Sequence, residues 1–171
     1  MILAQNALAK AYLISQQYGS KAMIFTDELI EHFNQNSLYQ ATGIRLKSAG
    51  SGHAVSELHP EASVCWPLSN QPHGGILFTL MDTSMAWAAL STTEQAANCA
   101  TVSLEIQYPL PAKGPFFTCD VRVVHSTGRS CFVRGEILNT KDQAVAMGQG
   151  TFRIIQGEVL KQRGGKCDRK Q

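Results

Sequence analysis

A single acid lies within a long apolar stretch of this chain. Residues 76–89 contain no glycine and no proline, and Asp82 is the one charged side chain among them. The stretch is too long for one strand, and its apolar side chains fall on almost every face, which predicts a buried helix. An ionised carboxylate in such a helix is costly unless it has a partner. Catalysis is therefore one candidate role for Asp82.

Two glycines open this stretch. Gly74 and Gly75 follow Pro72 and His73, a combination that is typical of a turn. Glycine allows close approach to the backbone, and the first amides of a helix have no internal partner and carry a partial positive charge. This chemistry suits an oxyanion. The alternative is a tight turn that serves packing alone.

The spacing of these groups restricts how they can work together. Gly74 and Asp82 are eight positions apart, which corresponds to about 12 Å along a straight helix. One chain is therefore not expected to bring both groups to a single carbonyl. The simplest arrangement that does so is a two-fold dimer with antiparallel helices, in which Gly74 of one protomer faces Asp82 of the other. Oligomerisation thereby becomes part of the predicted site.

The residues around Asp82 also form a motif. His-Gly-Gly at 73–75, followed by Leu-Phe-Thr-Leu-Met-Asp-Thr-Ser-Met-Ala-Trp-Ala at 77–88, closely resembles the central-helix signature of the PaaI-type hotdog-fold acyl-CoA thioesterases. The resemblance covers roughly residues 40–156. Its other parts are the strand and turn that follow this helix in the family, at 101–108 and 111–114, and the last two strands, at 128–130 and 150–154.

The resemblance implies a fold and an activity. The fold is an α+β hotdog, in which an antiparallel sheet wraps around a long central helix. The activity is hydrolysis of an acyl-CoA thioester to a free acid and coenzyme A. The family also implies a homodimer or homotetramer with the site at the dimer interface. Gly74 would come from one chain, and Asp82 with Thr101 from the other.

Specific roles follow from the same resemblance. In the family, the amide at the position of Gly74 donates to the thioester oxygen, and the acid at the position of Asp82 activates water or attacks directly. A small hydroxyl at the position of Thr101 helps to place the water or the acid. Thr101 is also explained as a β-branched strand residue without a catalytic role.

Three residues next to the helix start are predicted to bind substrate. Asn70 resembles the asparagine that precedes His-Gly-Gly in the family, although the gap between them is shorter here, and a turn residue is the alternative. His73 is expected to orient the loop through hydrogen bonds. Gly75 completes this group.

Alternatives remain for the acid and for the whole protein. The Asp82 carboxylate could be capped by a local hydroxyl such as Thr83 or Ser84, or it could lie in a polar dimer contact. The chain could be a non-catalytic hotdog protein that binds acyl thioesters as a sensor or scaffold, although such a protein has little need for Asp82. A hotdog dehydratase would need a catalytic His–Asp pattern, which the sequence lacks.

The remaining pattern divides the chain into three parts. Residues 1–38 are predicted to be an N-terminal helical extension, with one helix in 2–18 and a second that begins after Thr26 as N-cap. Residues 39–156 form the hotdog domain, and 157–171 a basic flexible tail, which could also help to hold coenzyme A phosphates. Strands are predicted at 44–46, 53–58, 100–108, 116–125, 130–138 and 144–155, with a short further piece at 63–66 and turns at 50–52 and 139–142.

Composition limits the other possibilities. A hydrophobic content of 44% with 16% charged residues is that of an ordinary globular chain, and a net charge of +2 does not favour nucleic acid. No apolar run reaches membrane-spanning length, and the first residues lack a secretion signal. Five cysteines without a Cys-x-x-Cys pair favour a cytoplasmic protein without disulfides. No metal site and no cofactor are expected, because ligand spacings and nucleotide-binding glycine motifs are absent.

Overall fold

A six-stranded antiparallel sheet packs against one long helix. The computed structural model describes residues 22–67, 69, 71–93 and 96–156, so the predicted helix at 2–18 and the tail at 157–171 lie outside the described residues. The elements are α1 (Asp27–Asn34), α2 (Ser37–Thr42), β1 (Ile44–Gly50), β2 (His53–Leu58), a 3-10 turn (Ala62–Val64), α3 (Gly74–Leu90), β3 (Ala96–Gln107), β4 (Phe117–Thr127), β5 (Ser130–Leu138) and β6 (Ala144–Gln156).

The order of the strands places β1 and β3 at the two edges of the sheet. The order is β1-β2-β4-β5-β6-β3, and every neighbouring pair is antiparallel. The central helix α3 packs on one face of this sheet, and the other face carries most of the exposed strand residues. The hotdog architecture expected from the sequence is confirmed.

Close packing inside the fold depends on two paired glycines. Gly135 of β5 lies opposite Gly148 of β6. A methyl group on Gly135 would collide with the side chain of Val121 on β4, and one on Gly148 would lie 3.2 Å from Cγ of Met81. Because Met81 is fully buried on α3, Gly148 provides space in which the helix packs on the sheet, whereas Gly135 provides space for the neighbouring strand.

The helix α1 begins as the sequence predicts. The hydroxyl of Thr26 caps it by accepting a hydrogen bond from the Leu29 amide at 3.3 Å. The sequence did not predict α2, which follows after two residues, and the predicted domain boundary between 38 and 39 falls within it. Side chains from this region, including Ile30 and Tyr39, join the same core as α3.

One buried amide joins α1 to the edge of the sheet. Asn34 is the last residue of α1, and its side chain is buried. Its Nδ2 donates to the Leu46 carbonyl at 3.0 Å, and its Oδ1 accepts from the Leu46 amide at 2.8 Å. The Asn34 side chain therefore hydrogen-bonds both backbone groups of Leu46 in β1, as a neighbouring strand would.

One predicted strand is absent from the structure, and another begins earlier than predicted. The predicted strand piece at 63–66 is wrong, since residues 62–64 form a 3-10 turn and Cys65 makes a single bridge to Pro72. Pro60 and Pro67 flank this segment and leave too few residues for a ladder. The third strand begins at Ala96, earlier than predicted, because pairing with β6 outweighs the weak strand preference of alanine and asparagine.

None of the helices in the described part of the chain combines the length and the apolar character that crossing a bilayer requires.

We expect Asn34→Ala to lower the free energy of unfolding by about 2–4 kcal/mol, because both backbone groups of Leu46 lose a buried partner. Asn36→Ala is the matched control, since it removes only the exposed cap of α2, in which Oδ1 accepts from the Leu38 amide at 2.8 Å, and should cost about 1 kcal/mol. Urea denaturation measures both. Equal losses would contradict the bridging role of Asn34.

Candidate active site

The start of α3 is ordered by His73. Its backbone is extended, with φ −59° and ψ 140°, and it is the N-cap of the helix. Its Nδ1 accepts a hydrogen bond from the Gly75 amide at 2.9 Å, and its own amide donates to the Val64 carbonyl at 2.9 Å. The ring lies 5.0 Å from that of Trp66. His73 and Gly75 therefore shape the turn together.

The amide of Gly74 is the unused donor at this helix start. Among the residues that the structure describes, none accepts a hydrogen bond from it. Packing alone does not require glycine here, because a methyl group would lie 3.7 Å from the nearest atom of Tyr108, an ordinary contact. At Gly75 the methyl would lie 3.0 Å from Nδ1 of His73. Tight packing therefore explains why residue 75 is a glycine, but it does not explain why residue 74 is one.

Asp82 is held by a residue on the edge strand. The hydroxyl of Thr101 donates to Oδ1 of Asp82 at 2.7 Å. The Asp82 side chain is half-buried, and it takes part in none of the ion pairs within the described residues. The structure thus brings together two of the predicted catalytic residues, and no cation among the described residues pairs with the carboxylate.

A β-bulge places Thr101 on the face of β3 that contacts α3. The pairing of β3 with β6 shifts by one residue between Thr101 and Ser103, which leaves Val102 as the extra residue. Thr101 lies opposite the buried Phe152, whereas Glu105 lies opposite the exposed Gln149. Simple alternation would place Thr101 and Glu105 on the same face, and the bulge separates them. Glu105 is exposed.

Local capping of the acid is excluded as an explanation. The Thr83 hydroxyl donates to the Thr79 carbonyl at 2.8 Å, and the Ser84 hydroxyl donates to the Leu80 carbonyl at 2.6 Å. Both hydroxyls therefore serve the helix backbone. Neither hydroxyl donates to Asp82, so this alternative does not account for the acid.

The charge of Asp82 acts on two neighbouring side chains. Burial raises the pKa of the Cys99 thiol to about 12, and the negative charge of Asp82 adds to this rise. Burial also raises the pKa of Tyr39, against the effect of its hydrogen bonds with Trp87 and Thr83, and Asp82 contributes in the same direction. The surroundings of Asp82 are therefore weakly polar, and its carboxylate is a negative charge that both neighbouring groups sense.

One residue of this site was not singled out by its sequence pattern. Tyr108 follows β3 directly, and its hydroxyl donates to the Gly74 carbonyl at 2.9 Å. No local spacing indicates this contact, because 34 positions separate the two residues. Asn70, in contrast, lies outside the described residues, and its role stays a prediction.

A groove on the opposite face of the sheet is separate from these residues. It has a volume of about 640 Å³, and Arg122, Arg134, Glu105 and Met147 are among its lining residues. Neither Gly74 nor Asp82 contributes to it. Within the described residues, no three His, Cys, Asp or Glu side chains are grouped so that they could hold a metal ion.

Comparison with known proteins identifies the family. Residues 72–146 match the model of the thioesterase superfamily. A conserved Pseudomonas aeruginosa protein, PA5202, is 30% identical in a structural match that covers 70% of this chain and 94% of that one, with a TM-score of 0.64. The PaaI protein of the Escherichia coli phenylacetic acid degradation operon is 25% identical, covering 75% and 91%, with a TM-score of 0.67. The Haemophilus influenzae thioesterase HI1161 shares the fold at 15% identity, covering 83% and 99%, with a TM-score of 0.73.

This chain belongs to the thioesterase superfamily. The resemblance to PaaI-type hotdog thioesterases is confirmed, and hydrolysis of a thioester is the general activity that family membership supports.

The reactivity of Cys99 reports the charge of Asp82. At pH 8 we expect Cys99 to react with iodoacetamide at least about a hundredfold more slowly than in the unfolded chain, because little thiolate is present. Asp82→Asn should speed this reaction, since one cause of the raised pKa is removed. Peptide mass spectrometry measures the rate.

Cys119 is the internal control for this experiment. Its pKa is also raised to about 12, but by burial and by Asp120 rather than by Asp82, against a hydrogen bond with Ser84 that lowers it. Its rate should stay the same in Asp82→Asn. Equal acceleration at both cysteines would indicate a loosened fold and would contradict the charge effect.

Proposed function

We propose that this protein hydrolyses an acyl-CoA thioester to a free acid and coenzyme A at a site shared by two protomers. One observation carries the proposal. The Asp82 carboxylate lies half-buried on a helix that has no other charged side chain, and it is held by the neutral hydroxyl of Thr101. The same helix begins with the Gly74 amide, which has no acceptor among the residues that the structure describes. An acid and an oxyanion donor on one rigid element are what acyl transfer to water needs.

The chemistry assigns each group a role. The Gly74 amide donates to the thioester oxygen, where negative charge develops as the carbonyl carbon is attacked. Asp82 takes a proton from water while the water oxygen bonds to that carbon, and the proton then passes to the thiolate of coenzyme A as the C–S bond breaks. Direct attack by Asp82, giving an acyl anhydride that water cleaves, uses the same atoms. In either route Thr101 holds Oδ1 and leaves Oδ2 for the reaction.

In a homodimer, Gly74 of one protomer can lie close to Asp82 of the other. Gly74 and Asp82 of one chain lie about 12 Å apart along α3. β3 is an edge strand, and Val102 on it is 64% exposed, while Phe78 on α3 is 38% exposed. The bonds Thr101–Asp82 and Tyr108–Gly74 show that β3 runs antiparallel to α3. A two-fold axis that brings two β3 edges together therefore also sets the two helices antiparallel.

The other predicted residues have supporting roles in this proposal. His73 and Gly75 shape the entry to the oxyanion site through their mutual hydrogen bond, and Asn70 is proposed to contact the water or the substrate. A homotetramer built from such dimers is compatible with the same site. We place the enzyme in the cytoplasm, because the four described cysteines are free thiols.

Asp82→Asn should lower the rate of acyl-CoA hydrolysis at least about a hundredfold, because it removes the base or nucleophile but keeps the shape that Thr101 binds. Free-thiol release from a panel of acyl-CoAs measures the rate. Glu105→Gln is the matched control, since it neutralises an acid on the opposite face of the same strand, and it should keep the wild-type rate. Rapid turnover by Asp82→Asn would refute the role of the acid.

If wild type and Asp82→Asn both release no thiol although both are folded, the protein is a binding module. An acyl-CoA should then raise its melting temperature without being consumed.

Gly74→Pro removes the proposed oxyanion donor alone. Proline is well tolerated at the first position of a helix, and the extended backbone of His73 already suits a following proline. We expect kcat to fall about 10²–10³-fold. Gly74→Ala keeps the amide and adds a methyl group for which the chain has room, so its loss should be smaller. Equal activity of the two variants would count against the amide.

Mixing the two inactive variants tests the shared site. In dimers exchanged between Gly74→Pro and Asp82→Asn, each mixed dimer has one site with both groups intact. Activity should therefore return to roughly a quarter of the wild-type value, because about half of the dimers are mixed and one of their two sites works. No recovery, with subunit exchange verified by mass spectrometry, would place both groups in one chain.

A further inference from the structure

Tyr108 contacts the residue that would bind the oxyanion. Its hydroxyl donates to the carbonyl of Gly74 at 2.9 Å. Its ring also covers one side of Gly74, since a methyl group there would lie 3.7–4.0 Å from three of its atoms. The Tyr108 side chain is 46% exposed, so its hydrogen bond is made at the surface where a substrate would enter.

The start of α3 needs an external restraint. Two consecutive glycines give this turn more backbone freedom than any other pair of residues would. His73 restrains the turn on one side through the Gly75 amide. In the described part of the chain, the side chain that holds Gly74 itself is Tyr108. The amide and the carbonyl of Gly74 are attached to the same Cα, so a strand residue far away in the sequence helps to restrain the residue that carries the amide.

The same strand holds both chemical groups of the helix. Thr101 binds Asp82 at 2.7 Å, and Tyr108 binds Gly74 at 2.9 Å. In each contact a hydroxyl group donates a hydrogen bond to α3. Thr101 lies within β3, and Tyr108 is the residue that directly follows it. The edge strand therefore restrains the acid through its side chain and the oxyanion donor through its backbone.

We propose that Tyr108 is a positioning residue of the oxyanion site. By holding the Gly74 carbonyl, it fixes the Gly74–Gly75 peptide group and thereby the Cα of Gly74, so that the neighbouring Gly74 amide points at the thioester oxygen. This inference rests on the proposed function. Tyr108 does not itself take or give a proton in the reaction. It acts through a peptide group, and its effect belongs to the transition state, where the oxygen carries more charge than in the bound substrate.

Tyr108→Phe removes the hydroxyl and keeps the ring. We expect kcat to fall about tenfold, less than on deletion of a donor, with KM changed less than about twofold. The loss should be equal from pH 6 to pH 9, because no titrating group of the reaction is removed. A purely structural role would change the melting temperature without this separation of kcat from KM.

Tyr39→Phe is the matched control. It removes the same group from a tyrosine whose hydroxyl accepts from Trp87 at 2.7 Å and does not contact Gly74. It should lower the melting temperature and change kcat less than twofold. An equal fall of kcat in both variants would overturn the proposal.

A double variant tests the route of the effect. In Gly74→Pro the amide is absent, so adding Tyr108→Phe should slow the reaction no further. If the two losses multiply, Tyr108 acts through another group and the proposal is wrong.

An NMR measurement separates this proposal from the proposed function. In ¹H–¹⁵N spectra of the full chain, Tyr108→Phe should shift the Gly74 and Gly75 amide signals and speed the hydrogen exchange of both amides, and Tyr39→Phe should not. Unchanged Gly74 signals would overturn the role of Tyr108. Failure of the wild type to hydrolyse any acyl-CoA would instead overturn the proposed function, and the spectra would still decide the role of Tyr108.

Discussion

The fit between α3 and the inner face of the sheet is the constraint on which the rest of this protein depends. Leu80, Met81 and Met85 are completely buried in that contact, and each such side chain is worth roughly 1.5–3 kcal/mol. A rotation of the helix by one residue, about 100°, that buried Asp82 would turn Leu80 away from the sheet. The position of Asp82 at the border of the core is therefore set by the packing of its apolar neighbours on α3.

The partners of the polar groups explain why they remain available for chemistry. Asp82 is bound by a neutral hydroxyl and not by a lysine or arginine, so its charge is oriented without being neutralised. Gly74 is bound at its carbonyl and not at its amide. The contact with Asp82 fixes the carboxylate through Oδ1 and does not use Oδ2. The contact with Gly74 fixes the peptide group that follows the amide and does not use the amide itself. The two contacts come from one strand, which makes the edge of the sheet part of the site.

Features that depend on local sequence were predictable. A long apolar run with one acid identified α3 and Asp82, and the Thr26 cap marked the start of α1. The pairing of Thr101 with Asp82 was expected only through the family resemblance. Contacts between distant segments could not be predicted from local sequence patterns. The hydrogen bond between Tyr108 and Gly74 is an example.

Two local predictions failed for physical reasons. α2 was missed because its six residues are too few for a periodic pattern and it is held by its own cap at Asn36 and by packing of Tyr39. Residues 63–66 have strand-forming types but no neighbouring strand of sufficient length to pair with. In both cases tertiary contacts decided the backbone conformation, not intrinsic preference.

The bulge at Val102 has a consequence for how this strand can change during evolution. Because the bulge shifts the alternation of β3 by one residue, Thr101 can face α3 while Glu105 faces outward. Deleting residue 102 would turn one half of the strand over and would put Thr101 and Glu105 on the same face. The length of β3 at this point is thus under selection, and gaps at position 102 should be rare among relatives.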